Sequence, residues 1–107
     1  MVIANFKMNP TSIREIDLWR DNFKKAWKGK TATETTIVLC PPVLFLERLV
    51  KDIKLKNVEF GAQDCFWEKK GAFTGEISAA ALYSAGARFV ILGQEVEIGR
   101  ASCRERV

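Results

Sequence analysis

Short apolar segments alternate with helix-forming segments along the whole chain, and this alternation limits its possible folds more than any other feature. The predicted strands are residues 2–6, 36–40, 58–62 and 89–92. Predicted helices lie between them, beginning after Ser12, Pro42 and Ser78. Near-continuous apolar strands joined by helical crossovers are typical of a parallel sheet covered by helices. The chain is therefore predicted to be α/β, with either an open sheet or part of a closed barrel.

The first predicted helix carries the clearest local signals. Ser12, followed three positions later by Glu15, is a capping-box pattern. Apolar side chains then recur at helical spacing and are predicted to form one buried face: Ile13, Ile16, Trp19, Phe23 and Trp27.

Composition and charge limit the classes of function. The chain has 107 residues, 17 of them basic and 13 acidic, and a formal net charge of +4. Its densest basic stretch, residues 24–30, is interpreted as a solvated helix end, so nucleic-acid binding is a minority alternative. No apolar run approaches the roughly 20 residues that span a bilayer, and no membrane partner is expected. The three cysteines are too few and too widely spaced to form a disulfide framework, which favours a reducing compartment. A cytoplasmic location is therefore expected.

Polar residues after the predicted strands are the candidate site. The glycine-rich phosphate motifs of nucleotide enzymes are absent from the sequence, as is histidine. Asn5 and Lys7 lie at the end of the first strand. Because they are two positions apart, their side chains are expected to face the same pocket. There the Lys7 ammonium would attract an anion and the Asn5 amide would orient it. Gln94 follows the fourth strand, and its amide can donate to a substrate carbonyl. Asn5, Lys7 and Gln94 could also be solvent-exposed polar residues at strand ends, with no role in a site. Cys40 and Cys65 are interpreted as packing residues.

Motifs in four places resemble the triosephosphate isomerase family. ANFKMN at 4–9 resembles the family's opening ANWKMN, and CPP at 40–42 resembles the segment after its second strand. GAQDCFWEKKGAFTGE at 61–76 resembles its long third loop, and VILG at 90–93 resembles its fourth strand. The resemblance covers residues 1–93 and implies the N-terminal half of a (β/α)8 barrel, a fold of about 250 residues. Four parallel strands and three helices would leave that barrel unclosed.

The resemblance also implies an activity and a set of partners. The family interconverts dihydroxyacetone phosphate and glyceraldehyde 3-phosphate through an enediolate, in glycolysis and gluconeogenesis, with no cofactor or metal. Lys7 would hold the anionic sugar phosphate and take part in catalysis, while Asn5 would help to place it. Residues 73–75 resemble the family's dimer loop, which implies a homodimer in which Thr74 supports the substrate site of the partner subunit.

One departure from the family pattern affects catalysis. The family is an established example of a glutamate base acting with a neutral histidine beneath a closing loop. The histidine is expected at Gln94, where the family's GHSE reads GQEV at 93–96, and the glutamate and closing loop belong to later family segments. An amide cannot exchange a proton with an enediolate, and losing such help costs about 10²- to 10⁴-fold. The chain alone is therefore expected to be inactive.

Residues 94–107 do not resemble the family. EIGRASCRERV at 97–107 can be back-translated into a common sequencing adapter, and it is interpreted as an adapter artefact rather than a natural basic tail. Residues 94–96 are then either genuine divergence or part of the junction. Two other functions stay open from the sequence: a stand-alone half-barrel module that binds phosphorylated metabolites without turnover, and a basic nucleic-acid-binding domain.

Overall fold

A computed structural model describes residues 1–28, 35–66, 68, 70–92 and 95–96 of the chain. Its strands are β1 (Val2–Asn5), β2 (Ile37–Cys40), β3 (Val58–Ala62), β4 (Phe89–Leu92) and β5 (Glu95–Val96). Its helices are α1 (Ile13–Lys28), α2 (Val43–Asp52) and α3 (Ala79–Ser84). The predicted alternation of strands and helices is confirmed, and β5 is an addition to it.

The sheet follows the order of the chain. β1 pairs with β2, β2 with β3 and β3 with β4, each pair parallel, and a helix connects each strand to the next. A doubly wound sheet reverses its strand order at a switch point, whereas successive strands of a (β/α)8 barrel are neighbours throughout. The predicted α/β class is confirmed, and the four parallel strands form an open arc of such a barrel.

β5 is not among the predicted strands. It pairs antiparallel with β4, with Ile91 opposite Val96 and Leu92 opposite Glu95. Only residues 93 and 94 separate the two strands in the chain, and so short a connection joins antiparallel strands, because a parallel pair needs a crossover of about a dozen residues. Residues 93–94 and 97–107 lie outside the described residues, so the predicted domain boundary at residue 94 and the adapter origin of 97–107 stay predictions.

Serine side chains begin two of the helices, as predicted. The Ser12 hydroxyl accepts a hydrogen bond from the Glu15 backbone N–H at 3.1 Å and donates to the Glu15 carboxylate at 3.1 Å. The Ser78 hydroxyl accepts from the Ala81 backbone N–H at 3.1 Å. Each serine satisfies an N–H group that the first helical turn leaves without a partner. Only one of the two hydrogen bonds of a standard capping box is present, because the Glu15 carboxylate accepts from the Ser12 hydroxyl instead of the Ser12 backbone N–H.

The core lies between the sheet and the helices. Ile16 of α1, Leu49 of α2 and Leu39 of β2 are fully buried. Along α1, neighbouring ring centroids lie 4.9 Å apart for Trp19 and Phe23 and 5.6 Å apart for Phe23 and Trp27. The predicted apolar face of α1 is confirmed with one exception: Ile13 is 54% exposed, because it is the first residue of α1 and the helix reaches the core only at Ile16.

A network of four charged side chains joins α1 to α2. Arg20 donates to Asp17 at 3.0 Å and to Asp52 at 2.7 Å. Arg48 donates to both oxygens of Asp17, at 2.8 and 3.1 Å. The hydrogen bond from Arg48, with the positive charges of both arginines, lowers the pKa of the Asp17 carboxyl from its ordinary value. The charged form of Asp17 is therefore favoured in the folded chain.

Replacing Asp17 with asparagine is expected to destabilise the fold at neutral pH, and this difference from the wild type should disappear in acid. Because the folded pKa is depressed, the stabilisation is present above the unfolded pKa of about 3.9 and is lost as the pH falls through the folded value. Thermal unfolding of both proteins from pH 7 downwards measures the difference. Glu59→Gln, at an exposed position of β3, is the control. A D17N deficit that stays constant in acid would contradict the account.

Candidate functional site

The carboxyl ends of β1, β2 and β3 meet at one edge of the sheet. Asn5 pairs with Cys40 at the ends of β1 and β2, and the register of β2 with β3 places the end of β3 beside them. Residues that follow these strands are therefore brought together, as expected for a parallel sheet.

Lys7 lies in a turn rather than in β1. The strand ends at Asn5, and Lys7 has a φ of 57°, in the left-handed region that few residues other than glycine adopt. The Lys7 backbone N–H donates to Oδ1 of Asn5 at 2.8 Å. The Asn5 amide thus holds the turn that carries Lys7, and strand alternation does not set the direction of the Lys7 side chain.

Gln63 holds the other side of the same turn. Its Nε2 group donates to the backbone carbonyl of Lys7 at 2.8 Å and to that of Cys40 at 2.8 Å. The Cys40 carbonyl also accepts from the Phe6 backbone N–H at 3.1 Å. One half-buried amide therefore ties the end of β3 to the ends of β1 and β2. Sequence reasoning missed this role, although Gln63 is a polar residue directly after an apolar strand, the signal that singled out Asn5 and Gln94.

The exposed side of this edge is suited to an anion. The side chains of Asn5 and Lys7 are both exposed, so the Lys7 ammonium is accessible to a phosphate or carboxylate. Because Oδ1 of Asn5 accepts from Lys7, its Nδ2 group is the part of the amide that can donate to a substrate oxygen. The structure brings Asn5, Lys7 and Gln63 together, whereas Gln94 lies outside the described residues.

Cys40 has the properties of a packing residue. It is fully buried, and burial raises the pKa of its thiol to about 11, so the thiol is neutral at physiological pH. A Cβ atom on Gly61 would lie 2.8 Å from its sulfur, which leaves no space for a larger residue in β3 at that point. Cys65 is also buried, at 3% exposure. The packing interpretation of Cys40 is confirmed.

Thr74 lies on a separate exposed loop. Residues 71–76 are all exposed, and the base of the loop is held by the rings of Phe66 and Phe73, whose centroids are 4.7 Å apart. The Glu76 backbone N–H closes a turn by donating to the Phe73 carbonyl at 3.1 Å. Thr74 is therefore presented outward at the tip of a turn.

The part of the chain that the structure describes contains no helix with the length and apolar character needed to span a bilayer.

Comparisons with known proteins agree with this fold and these motifs. A family model described as triosephosphate isomerase matches residues 1–95. The triosephosphate isomerases of Aquifex aeolicus (strain VF5) and Alkaliphilus oremlandii (strain OhILAs) are 39% and 38% identical over 93 residues, 87% of this chain but 36% of each relative. The crystal structure of triosephosphate isomerase from Bartonella henselae matches with a TM-score of 0.71 and 29% identity, over 87% of this chain and 37% of that one. The chain thus spans about a third of the length of these relatives, and by its match over residues 1–95 it belongs to the triosephosphate isomerase family.

Proposed function

We propose that this chain supplies the anion-binding side of a triosephosphate isomerase active site and does not isomerise the substrate by itself. The observation that carries the proposal is the Lys7 turn, held by the Asn5 amide on one side and the Gln63 amide on the other. The two amides hold the Lys7 backbone at the carboxyl edge of the sheet, which is the edge where (β/α)8 enzymes bind their substrates. Family membership supports a phosphorylated triose as the ligand.

The proposed reaction is the interconversion of dihydroxyacetone phosphate and glyceraldehyde 3-phosphate. A proton leaves one carbon, an enediolate forms, and a proton returns to the neighbouring carbon. Lys7 stabilises the negative charge of the substrate and Asn5 donates to one of its oxygens. The described edge contributes an ammonium and two amides, which are not general bases, so the proton transfers need groups beyond Asn5, Lys7 and Gln63.

The setting of the proposed enzyme follows from the family. We propose that the whole protein is a cytoplasmic homodimer in glycolysis and gluconeogenesis. In this proposed dimer Thr74, on the exposed loop of residues 71–76, would contact the substrate site of the other subunit.

Two measurements on the 107-residue chain test this proposal. A coupled assay with glyceraldehyde 3-phosphate is expected to give no turnover above the uncatalysed rate. Titration with inorganic phosphate, followed by amide NMR, is expected to shift the backbone amide signal of residue 7 in the wild type but not in Lys7→Ala. Lys25→Ala, an exposed lysine of α1, is the control and should behave as the wild type. Measurable turnover would refute the inactivity of the chain. A wild-type Lys7 amide signal that does not shift when phosphate is added would refute the anion site.

A further inference from the structure

Two groups of lysines that lie far apart in the chain meet at the amino end of the sheet. A crossover helix of a parallel sheet ends where the next strand begins, so α1 and α2 both end at this side, opposite to the Lys7 turn. The indole Nε1 of Trp27, in the last turn of α1, donates to the backbone carbonyl of Lys56 at 3.1 Å. This bond holds the end of α1 against residues 53–57, which connect α2 to β3.

The charged residues along α1 direct Lys24 towards this connection. Asp17, Arg20 and Lys24 follow one another at spacings of three and four residues, which places them on one face of the helix. Asp17 binds Arg48, and Arg20 binds Asp52, so this face is turned towards α2. Lys24, one turn further on and half-buried, continues the face past the residue where α2 ends.

Four lysines of these two segments form what we call the lysine surface: Lys24, Lys25, Lys54 and Lys56. None of the four takes part in an ion pair within the described part of the chain. The neighbouring carboxylates of Asp21 and Asp52 are bound to Arg20. Glu59 alternates with the core-facing residues of β3 and therefore lies on the opposite face of the sheet. The positive charge of the lysine surface is thus not cancelled by its acidic neighbours.

The lysine surface is suited to an extended anion with repeated charges. Lysine ammoniums are mobile point charges that bind phosphates without a fixed geometry. A small anion is held by converging groups in a concave site, whereas these lysines lie on two separate segments and three of them are exposed. Membrane-binding surfaces add apolar side chains that enter the lipid interface. In the described chain, no exposed large apolar residue lies within residues 20–27 or 51–57.

We propose that the lysine surface binds the phosphate backbone of double-stranded nucleic acid without sequence preference. A duplex carries one charge per about 1.7 Å of its axis, so each lysine can meet a phosphate. Single strands are bound with exposed aromatic rings that stack on the bases, and the rings at residues 23 and 27 are half-buried. The sequence treats this binding as a minority alternative, because only the structure joins Lys54 and Lys56 to the basic end of α1. The proposal does not depend on the proposed enzymatic function.

Fluorescence anisotropy of the full chain with a short labelled DNA duplex tests the proposal. Between about 50 and 200 mM salt, the logarithm of the binding constant is expected to fall against the logarithm of the salt concentration with a slope of about −3 to −4, since each neutralised phosphate contributes about −0.9. Lys54→Ala with Lys56→Ala should reduce this slope by about 2 and weaken binding by about tenfold or more at the lower salt. Arg14→Ala with Lys70→Ala removes the same charge from two other exposed positions and should leave the slope unchanged. Absent binding at the lower salt, or equal losses for the two double variants, overturns the proposal.

Amide NMR of the wild type with the same duplex tests the location without a substitution. The signals of residues 24–27 and 54–57 are expected to shift, and that of residue 7 is expected to stay in place. A shift at residue 7 without shifts in the two lysine segments overturns the proposal, because it places the duplex at the candidate functional site. Vesicles rich in phosphatidylserine are the second probe. If they bind the chain and the duplex does not, the lysine surface is a lipid-binding surface and the proposal fails.

Discussion

Gly86→Ala is expected to destabilise the chain by about 3 kcal/mol or more, enough to unfold a marginally stable domain. Gly86 follows α3 with a φ of +113°, where an L side chain costs roughly 1–2 kcal/mol. A Cβ atom there would also lie 2.5 and 2.9 Å from the two γ-methyl groups of Val50 in α2. Such overpacking adds about 1–3 kcal/mol. Urea unfolding of the wild type and the variant measures the loss.

Gly75→Ala is the matched control for this prediction. Gly75 also has a positive φ, +81°, but a Cβ atom at this position would have no neighbouring atom within 4 Å. Only the backbone strain remains, so the expected loss is about 1–2 kcal/mol. Adding Val50→Ala to Gly86→Ala should remove the steric part. Equal losses in the free energy of unfolding for Gly86→Ala and Gly75→Ala would show that a Cβ atom at residue 86 does not clash with Val50 of α2.

Gln63→Glu is expected to destabilise the fold by about 3 kcal/mol at neutral pH and to release the Lys7 turn. The substitution removes two hydrogen bonds and leaves two carbonyl oxygens facing a carboxylate, where the amide donated at 2.8 Å. Unmade bonds to partly buried groups cost about 1–3 kcal/mol, and charge repulsion adds to this. Chemical denaturation gives the free energy, and the amide NMR signal of Lys7 reports the turn.

Gln63→Ala separates the two causes in that prediction. Alanine loses the same hydrogen bonds but adds no charge, so its expected deficit is smaller than that of glutamate. Acid should narrow the gap between the variants, because a protonated carboxyl donates one hydrogen bond again. A glutamate variant as stable as wild type, with the Lys7 signal unchanged, would remove Gln63 from the site.

The elements that the sequence predicts well depend on local chemistry. Ser12 and Ser78 begin helices because each side chain reaches an N–H three residues ahead. The third strand is predicted with the observed bounds, Val58–Ala62, because an apolar run lies between turn-forming segments. These features need no knowledge of distant contacts.

The site depends on contacts that are distant in the chain, and these limit prediction. Gln63 binds the Lys7 carbonyl across 56 positions, so no local pattern predicts the pairing. The left-handed turn at Lys7 is held by that bond and by the bond to Asn5. Arg48 binds Asp17 across 31 positions, and the helical periodicity of the sequence does not predict this ion pair. The polar strand ends could be predicted as a candidate site, and Gln63 carries the same signal, whereas its hydrogen bonds to the carbonyls of Lys7 and Cys40 could not be predicted.

A chimera tests the central claim most directly: that Lys7 and its turn form the anion-binding side of an isomerase site. Residues 1–92 of this chain, joined to the remaining sequence of the Aquifex aeolicus relative, would be assayed for conversion of glyceraldehyde 3-phosphate. The expected result is an active chimera whose kcat/KM falls about 100-fold or more with Lys7→Ala and is unchanged with Lys25→Ala. A folded, active chimera whose kcat/KM is unchanged by Lys7→Ala would contradict the account.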